Sequence, residues 1–266
     1  MTPDGKTLVG IMQAALTIDS DHQAKSKNIP FTRIVSFDLQ THQAHEYAYV
    51  LDDPATKGTA VSEITAVSAT KFLVDERDGH PEPGASKKVY EIDLSKATDI
   101  GPSAKVAGAH YDATYGLEVP GTDTGVGPLE YLFTDKSQSP DGDAILRGAG
   151  VTPVAKSLYL DLGALVTKLD ASGAFFGHDK VEGIDLVDGG RKLLVSNDSD
   201  FGIDGLSDAN GDASTDVTAP FALHTKLEPS GAQDDGDHLV VDLAKAKDVL
   251  SGKDAPRSAK VTITVR

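Results

Sequence analysis

The sequence contains no cysteine and no tryptophan, and only two methionines. Without cysteine there can be no disulfide, no thiolate nucleophile and no thiolate-held zinc or iron–sulfur centre. That absence leaves the compartment open, because a large core can dispense with disulfides. Basic residues are scarce: 25 Lys and Arg face 41 Asp and Glu, for a formal charge of -16. Phosphate-backbone recognition needs a basic face whose counterions can be released, so nucleic acid is excluded as a partner. A polyanionic ligand would require a bridging cation. Long apolar runs are also missing, and no stretch approaches the length that spans a bilayer. The first thirty residues show no basic segment followed by an apolar one, so no export signal is expected there.

What remains is 39% apolar residues, well above the level of a disordered acidic chain, with 8 Phe and 7 Tyr as the only large aromatics. The core must be built from Val, Leu, Ile and Ala. Short runs rich in these residues, separated by Asp-Gly, Pro and Asn turns, predict strands at 7–12, 33–39, 45–50, 63–67, 71–75, 88–94, 157–162, 181–186, 192–196, 221–227 and 238–241. Helical periodicity holds only over 162–168 and 243–250. The chain reads as all-β in a single domain spanning 1–266.

Internal similarity sharpens the expectation. Ser62-Glu63-Ile64 leading into Phe72-Leu73-Val74-Asp75-Glu76-Arg77-Asp78 matches Glu182-Gly183-Ile184 leading into Leu193-Leu194-Val195-Ser196-Asn197-Asp198. A partial copy begins at Asp4-Gly5-Lys6-Thr7-Leu8. The strand starts at Leu8, Phe72 and Leu193 lie 64 and then 121 residues apart, one and two units of about 61. The middle unit is expected to lack its first half and keep the strand at 157–162. Repeated four-stranded units with long loops predict a β-propeller, against an irregular β-sandwich. The first unit has no innermost strand ahead of Asp4. Either the run 260–265 completes that blade and closes the ring as a monomer, or the propeller is incomplete.

In such a fold the repeat-equivalent turns gather polar side chains. Glu63 and Glu182 are expected at one equivalent position, and Glu76-Arg77-Asp78 and Asn197-Asp198-Ser199-Asp200 at another. Converging carboxylates can hold a hard cation or act as acid and base. Asp208, Asn210 and Asp212 have the i, i+2, i+4 oxygen spacing of a calcium loop, though Ala213 and Ala219 stand where an EF-hand needs Gly and Glu. No Gly-x-Ser-x-Gly elbow, Walker A loop or His-Glu-x-x-His occurs.

Taken together, Asp4-Gly5-Lys6, Glu76-Arg77-Asp78, Lys156 ahead of Leu158-Tyr159-Leu160-Asp161-Leu162, and Glu182-Gly183-Ile184 with Asn197-Asp198-Ser199-Asp200-Phe201 resemble the phytase-like family, described as the esterase-like activity of phytase. The resemblance runs over nearly the whole chain. It implies a propeller hydrolase, typically exported to the periplasm or beyond, acting on a small phosphate or carboxylic ester. Family members carry a further Glu-Gly segment before the Asp-Gly-Lys strand, which this chain lacks. Under that resemblance Glu63, Glu76, Glu182 and Asp198 are the catalytic candidates. Arg77, Lys156 and Asn197 would hold substrate oxygens. Asp200, with Asp208, Asn210 and Asp212, would bind calcium or another divalent cation. A non-catalytic propeller that presents a binding surface, or an inactive fragment, is the alternative.

Overall fold

The computed structural model describes residues 1–134 and 141–252. The chain divides into two compact units, Met1–Asp78 with Lys88–Leu160, and Gly79–Lys87 with the chain from Asp161 onward. Among the described residues it is mostly β, in several antiparallel sheets, none of them closed.

In the first unit, β1 (Thr7–Ile11), β2 (Phe31–Asp38) and β3 (Ala44–Val50) form a sheet in that order. After a single helical turn, α1 (Pro54–Lys57), come β4 (Ala60–Ala66), β5 (Lys71–Arg77) and β6 (Lys87–Asp93). A small sheet follows, β7 (His110–Asp112), β8 (Gly116–Thr122) and β9 (Gly125–Pro128), then α2 (Gly142–Gly148) and β10 (Ala155–Asp161). β10 returns beside β6, so the second sheet runs β10-β6-β5-β4.

The β1-β2-β3 sheet is covered on both faces. Phe31 and Ala48 join Leu117, Val119 and Leu146 in one apolar cluster, while Ile34 and Tyr49 join Phe72, Val74 and Ile92 in another. A strand sealed on both sides needs no polar alternation, which is why Phe31 to Ile34 is buried without a break. Each large side chain so buried contributes about 1.5–3 kcal/mol. β1, at the sheet edge, alternates instead and leaves Leu8 exposed.

The second unit holds α3 (Leu162–Leu169), β11 (Val181–Val187), β12 (Lys192–Asn197), β13 (Ile203–Ser207), β14 (Ala213–Ser214), β15 (Ala222–Thr225), β16 (His238–Asp242) and α4 (Leu243–Ser251). The strands form two sheets, β11-β12-β16 and β14-β13-β15. Both helices start the same way. The carboxylate of Asp161 accepts the Ala164 N–H at 2.8 Å, and that of Asp242 accepts the Lys245 N–H at 3.1 Å. These are side-chain N-caps, typically worth about 1 kcal/mol each. In the first unit Asp38 and Asp93 accept backbone N–H groups two residues on. The recurring Asp-Leu at strand ends is thus a chain-turning device.

The predicted strands and both predicted helices are present to within a few residues. Two expectations need correction. The strand at 157–162 does not belong to a middle unit that lost its first half; it is β10, the strand beside β6, because the intervening chain folds as β7-β8-β9 and α2. Glu63 and Glu182 are not equivalent. Ile64 pairs with Val74 and Ile184 with Val195, so Glu63 corresponds to Gly183 and Ser62 to Glu182. Both strands carry a bulge at this point, between Val61 and Glu63 and between Val181 and Gly183. The same registers do make Glu76 the counterpart of Asn197. The closing strand expected at 260–265 lies outside the described residues.

Candidate functional site

In the first unit β5 carries Glu76 into the interior, 2% exposed, where its carboxylate meets three donors. Tyr49 Oη donates to it at 2.8 Å, the Asp52 N–H at 2.7 Å and Lys156 Nζ at 2.8 Å. Lys156 also donates to Asp52 Oδ1 and to the Val50 carbonyl, both at 2.9 Å, and lies 3.9 Å from the Tyr90 ring centre. The sequence-predicted pair Glu76 and Lys156 is therefore joined. Tyr49, Asp52 and Tyr90 complete the cluster. Arg77 is directed elsewhere, donating through Nε to Ser62 Oγ at 3.0 Å. Glu63 sits at the β4 bulge and accepts the Ile64 N–H at 2.9 Å.

Burial would raise the Asp52 carboxyl, but hydrogen bonds from Tyr90 and Lys156 outweigh it and hold the group below the usual carboxylate value. A carboxyl lowered on folding adds stability that is fully present above its unfolded value of 3.8 and is lost as pH falls through the lower folded value. Tyr90→Phe removes the strongest of the lowering hydrogen bonds without burying a charge. Urea melts are expected to show Tyr90→Phe less stable than the parent at neutral pH, with the gap narrowing as pH falls below 3.8. A gap that is constant with pH would contradict this account of Asp52.

The second unit builds a larger polar centre from three segments: 178–180 ahead of β11, 197–200 after β12, and 226–237 between β15 and β16. Lys226 Nζ donates to Asp179 at 2.7 Å, Asp200 at 2.9 Å and Asp234 at 3.1 Å. Burial pulls the ammonium's pKa down, yet the bonds to those three carboxylates win and hold it well above the ordinary lysine value. Lys180 donates to both oxygens of Asp200 and lies 3.9 Å from Asp198. Those bonds keep Asp200 below the usual carboxylate range. Asp198 in turn accepts the Asp200 N–H at 2.9 Å.

Behind the lysines lies His178, its side chain fully buried. Nδ1 is 2.8 Å from Asp234 Oδ1 and 3.7 Å from Glu228 Oε1. Nε2 makes no hydrogen bond, although Asp237 Oδ2 is 3.4 Å away. Asn197 fixes this arrangement. Its amide nitrogen is 3.1 Å from Asp234 and 3.0 Å from the Asp235 carbonyl, and its oxygen accepts the Asp237 N–H at 2.6 Å. Gly177 must be glycine, because a Cβ there would run into the Gly173 carbonyl. A hollow of about 330 Å³ opens beside these groups, lined among others by Asp179, Asp204, Lys226, Glu228 and Asp234.

The centre carries Asp179, Asp200, Glu228, Asp234 and Asp237 against two lysines, an excess of negative charge that a dication would offset. One ligand atom from each of His178, Glu228 and Asp234 lies within 4.8 Å of the others. Zinc-type bonds of about 2.1 Å place tetrahedral ligand atoms about 3.4 Å apart. An imidazole nitrogen with two carboxylates is the donor set of such an ion; calcium takes oxygen ligands. The cluster could hold a metal.

The remaining sequence-predicted residues stand apart from this centre. Asp208, Asn210 and Asp212 form the exposed β13–β14 turn, where Asp208 Oδ1 accepts the Asn210 and Asp212 N–H groups at 2.8 and 3.0 Å. Glu182 lies half-buried at the β11 bulge. Sequence reasoning missed His178, Asp179, Lys226, Glu228 and Asp234. No spacing links them, and their one signal is the acidic density of 234–237.

Antiparallel sheets whose loops collect carboxylates and lysines define a β-sheet protein with an acidic polar centre. The family comparison makes this specific: the model of the phytase-like family, described as the esterase-like activity of phytase, matches residues 1–201. The chain belongs to that family. The matched residues include the whole Glu76–Lys156 cluster together with His178 to Lys180 and Asn197 to Asp200; Lys226, Glu228 and Asp234 lie beyond them. No curated protein and no solved structure gave a match. Among the described residues no helix is long and apolar enough to cross a membrane.

Proposed function

We propose that the protein is a metal-assisted hydrolase of small phosphate esters, working at the hollow of the second unit. Membership of the phytase-like family supports hydrolysis of an ester. The observation that carries the location is the buried imidazole of His178 set against Glu228 and Asp234 at the wall of a hollow also lined by Lys226. We also infer that the sheets are propeller blades, supported by the matching bulges and registers of β4-β5 and β11-β12.

His178, Glu228 and Asp234 would hold the ion. A dication there would polarise the phosphoryl group and lower the pKa of water, contributing several kcal/mol. Lys226, whose three N–H groups are taken by Asp179, Asp200 and Asp234, holds those carboxylates in place and sets a positive charge beside the hollow. Asn197 positions Asp234 and the 235–237 backbone, and Asp198 positions Asp200. Of the carboxylates lining the hollow, two belong to the ion-holding set and Asp179 is paired with Lys226. Asp204 is left to accept the proton of the attacking water. This reading assigns no ion to the Asp208 turn, whose geometry its own backbone N–H groups already satisfy.

The test is hydrolysis of p-nitrophenyl phosphate and phytate before and after EDTA treatment, with zinc, manganese and calcium added back. Activity should vanish with EDTA and return with zinc or manganese more fully than with calcium. Turnover of phosphate esters that is indifferent to EDTA would overturn the metal assignment; silence with every ion would overturn the hydrolase reading at this hollow.

A further inference from the structure

One face of the β1-β2-β3 sheet changes character along its length. It carries Ile34 and Tyr49, which join Phe72 and Val74 in an apolar cluster. Two and four residues beyond Ile34 the same face presents Ser36 and Asp38, with His45 of β3 opposite Ser36. Packing does not explain polar side chains on the continuation of a core face. The β4-β5-β6-β10 sheet leaves this end uncovered, and a hollow of about 480 Å³ remains, lined by Ser36, Asp38, His45 and, from the segment after β6, Asp99.

The hydrogen-bonding state of these groups can be assigned from their partners. His45 Nδ1 lies 2.7 Å from Asp99 Oδ2. A carboxylate only accepts, so in the neutral ring the proton sits on Nδ1 and Nε2 is an acceptor. The other oxygen of Asp99 accepts the Gly101 N–H at 2.9 Å and the Glu46 N–H at 3.2 Å, which locks the carboxylate against the imidazole. A Cβ at Gly101 would stand 2.9 Å from the Glu46 nitrogen, so glycine is what lets the turn carrying Asp99 approach β3 this closely. Asp38 Oδ1 accepts the Thr41 and Gln40 N–H groups, both at 2.8 Å, and these bonds keep its carboxyl below the usual value and ionised.

The hydroxyls nearby are already engaged. Ser36 shares a side-chain hydrogen bond with Tyr47, and Ser95 and Thr70 bond to Asp93. What the hollow leaves open is acceptors: His45 Nε2, carboxylate oxygens and hydroxyl lone pairs. No lysine or arginine is on its lining. Asp38 and His45 are diagonal neighbours in the β2–β3 ladder, a separation of about 7–8 Å between Cα atoms. A single nitrogen donating at about 2.9 Å to each side chain bridges such a gap.

We propose that this hollow binds a small primary ammonium compound, its nitrogen between Asp38 and His45 Nε2 and its organic part against Val9, Phe72 and Leu94. An ammonium brings three donors and no acceptor, the complement of the open positions. A carboxylate or phosphate ester would meet two negative charges and no counter-charge. Among the described residues, the one group of three His, Asp or Glu close enough to ligate a metal ion lies in the second unit. This ammonium site shares no residue with the hydrolytic centre proposed above, so either can fail alone.

The test is titration of the full-length protein with benzylamine, benzyl alcohol and benzoate, which share one ring and are cationic, neutral and anionic, read by calorimetry at low salt. Benzylamine should bind with a dissociation constant below about 1 mM, about tenfold or more tighter than benzyl alcohol, and benzoate should not bind. Added salt should weaken the benzylamine complex. In Asp38→Asn the amide oxygen can still accept both backbone N–H groups and only the charge is lost; benzylamine affinity should fall about tenfold. His45→Phe keeps a ring and removes the acceptor, so it should weaken benzylamine and spare benzyl alcohol. Should His45→Phe fail to fold by circular dichroism, Asp38→Asn, changed at a half-buried position, decides. Equal affinity for the amine and the alcohol would overturn the proposal, as would no binding of benzylamine. So would an Asp38→Asn variant that binds benzylamine as the parent does.

Discussion

Replacing Arg33 by methionine is expected to destabilise the first unit by about 3–5 kcal/mol, the usual cost of leaving one partner of a buried ion pair alone. Arg33 emerges from β2 into the interior and is 3% exposed, facing Glu130, which is fully buried. Its two terminal nitrogens meet the two oxygens of Glu130, the second pair at 3.0 Å, and Nε lies 3.4 Å from Glu46. Burial pulls the guanidinium's pKa down, but the charge of Glu130 at this range holds it above the ordinary value. Methionine fills much of the volume and removes the positive charge, stranding Glu130. The companion variant separates charge from packing. Arg33→Met combined with Glu130→Leu should recover most of the loss, since an apolar pair of similar volume often matches or exceeds a buried salt bridge. Urea midpoints followed by circular dichroism would read both variants. A double variant as unstable as the single one would mean that packing, not the stranded carboxylate, sets the cost.

The strands were legible in the sequence wherever burial on both faces produced a continuous apolar run. Phe72-Leu73-Val74 is such a run, whereas Leu193-Leu194-Val195 is a continuous apolar run that buries only Leu193 and Val195 and leaves Leu194 half-buried. The sheet β7-β8-β9 was not legible, because Gly116, Pro120, Gly121, Gly125 and Gly127 carry turn signals through the strands themselves. Its side chains Leu117 and Val119 nevertheless seal the outer face of the β1-β2-β3 sheet. The equivalence of Glu63 and Glu182 failed because Glu63 stands one residue before Ile64 and Glu182 two before Ile184, while the two strands bulge at the same register. A shift of one residue exchanges the faces of a strand.

Legibility of the candidate centres depended on whether their residues lie inside the repeat. Glu76 and Asn197 do, and the pairing registers make them counterparts even though their surroundings differ: Glu76 binds a buried lysine, Asn197 orders a histidine and its carboxylates. Lys156 was found through family resemblance and is joined to Glu76. His178, Lys226 and Asp234 come together only through loops whose lengths follow no period. A motif search detects chemistry carried on one segment; these sites are assembled across several.

Changing Asp234 to asparagine should lower metal-dependent phosphate-ester turnover by about 10³-fold, the equivalent of about 4 kcal/mol of transition-state stabilisation. The variant is expected to fold. The amide oxygen can still accept from Asn197, and Lys226 keeps Asp179 and Asp200 as partners. What disappears is one anionic ligand and with it the charge that favours a dication beside His178. Equilibrium dialysis gives a reading independent of turnover: the parent should retain one zinc per chain and Asp234→Asn should not. His178→Gln should lose zinc as well, because an amide is a poor substitute for imidazole toward that ion. Calcium uptake should change little in His178→Gln, since calcium prefers oxygen donors. Zinc retained equally by all three proteins would show that the buried histidine and its carboxylates serve the fold, with Lys226 as the counter-charge and no ion between them.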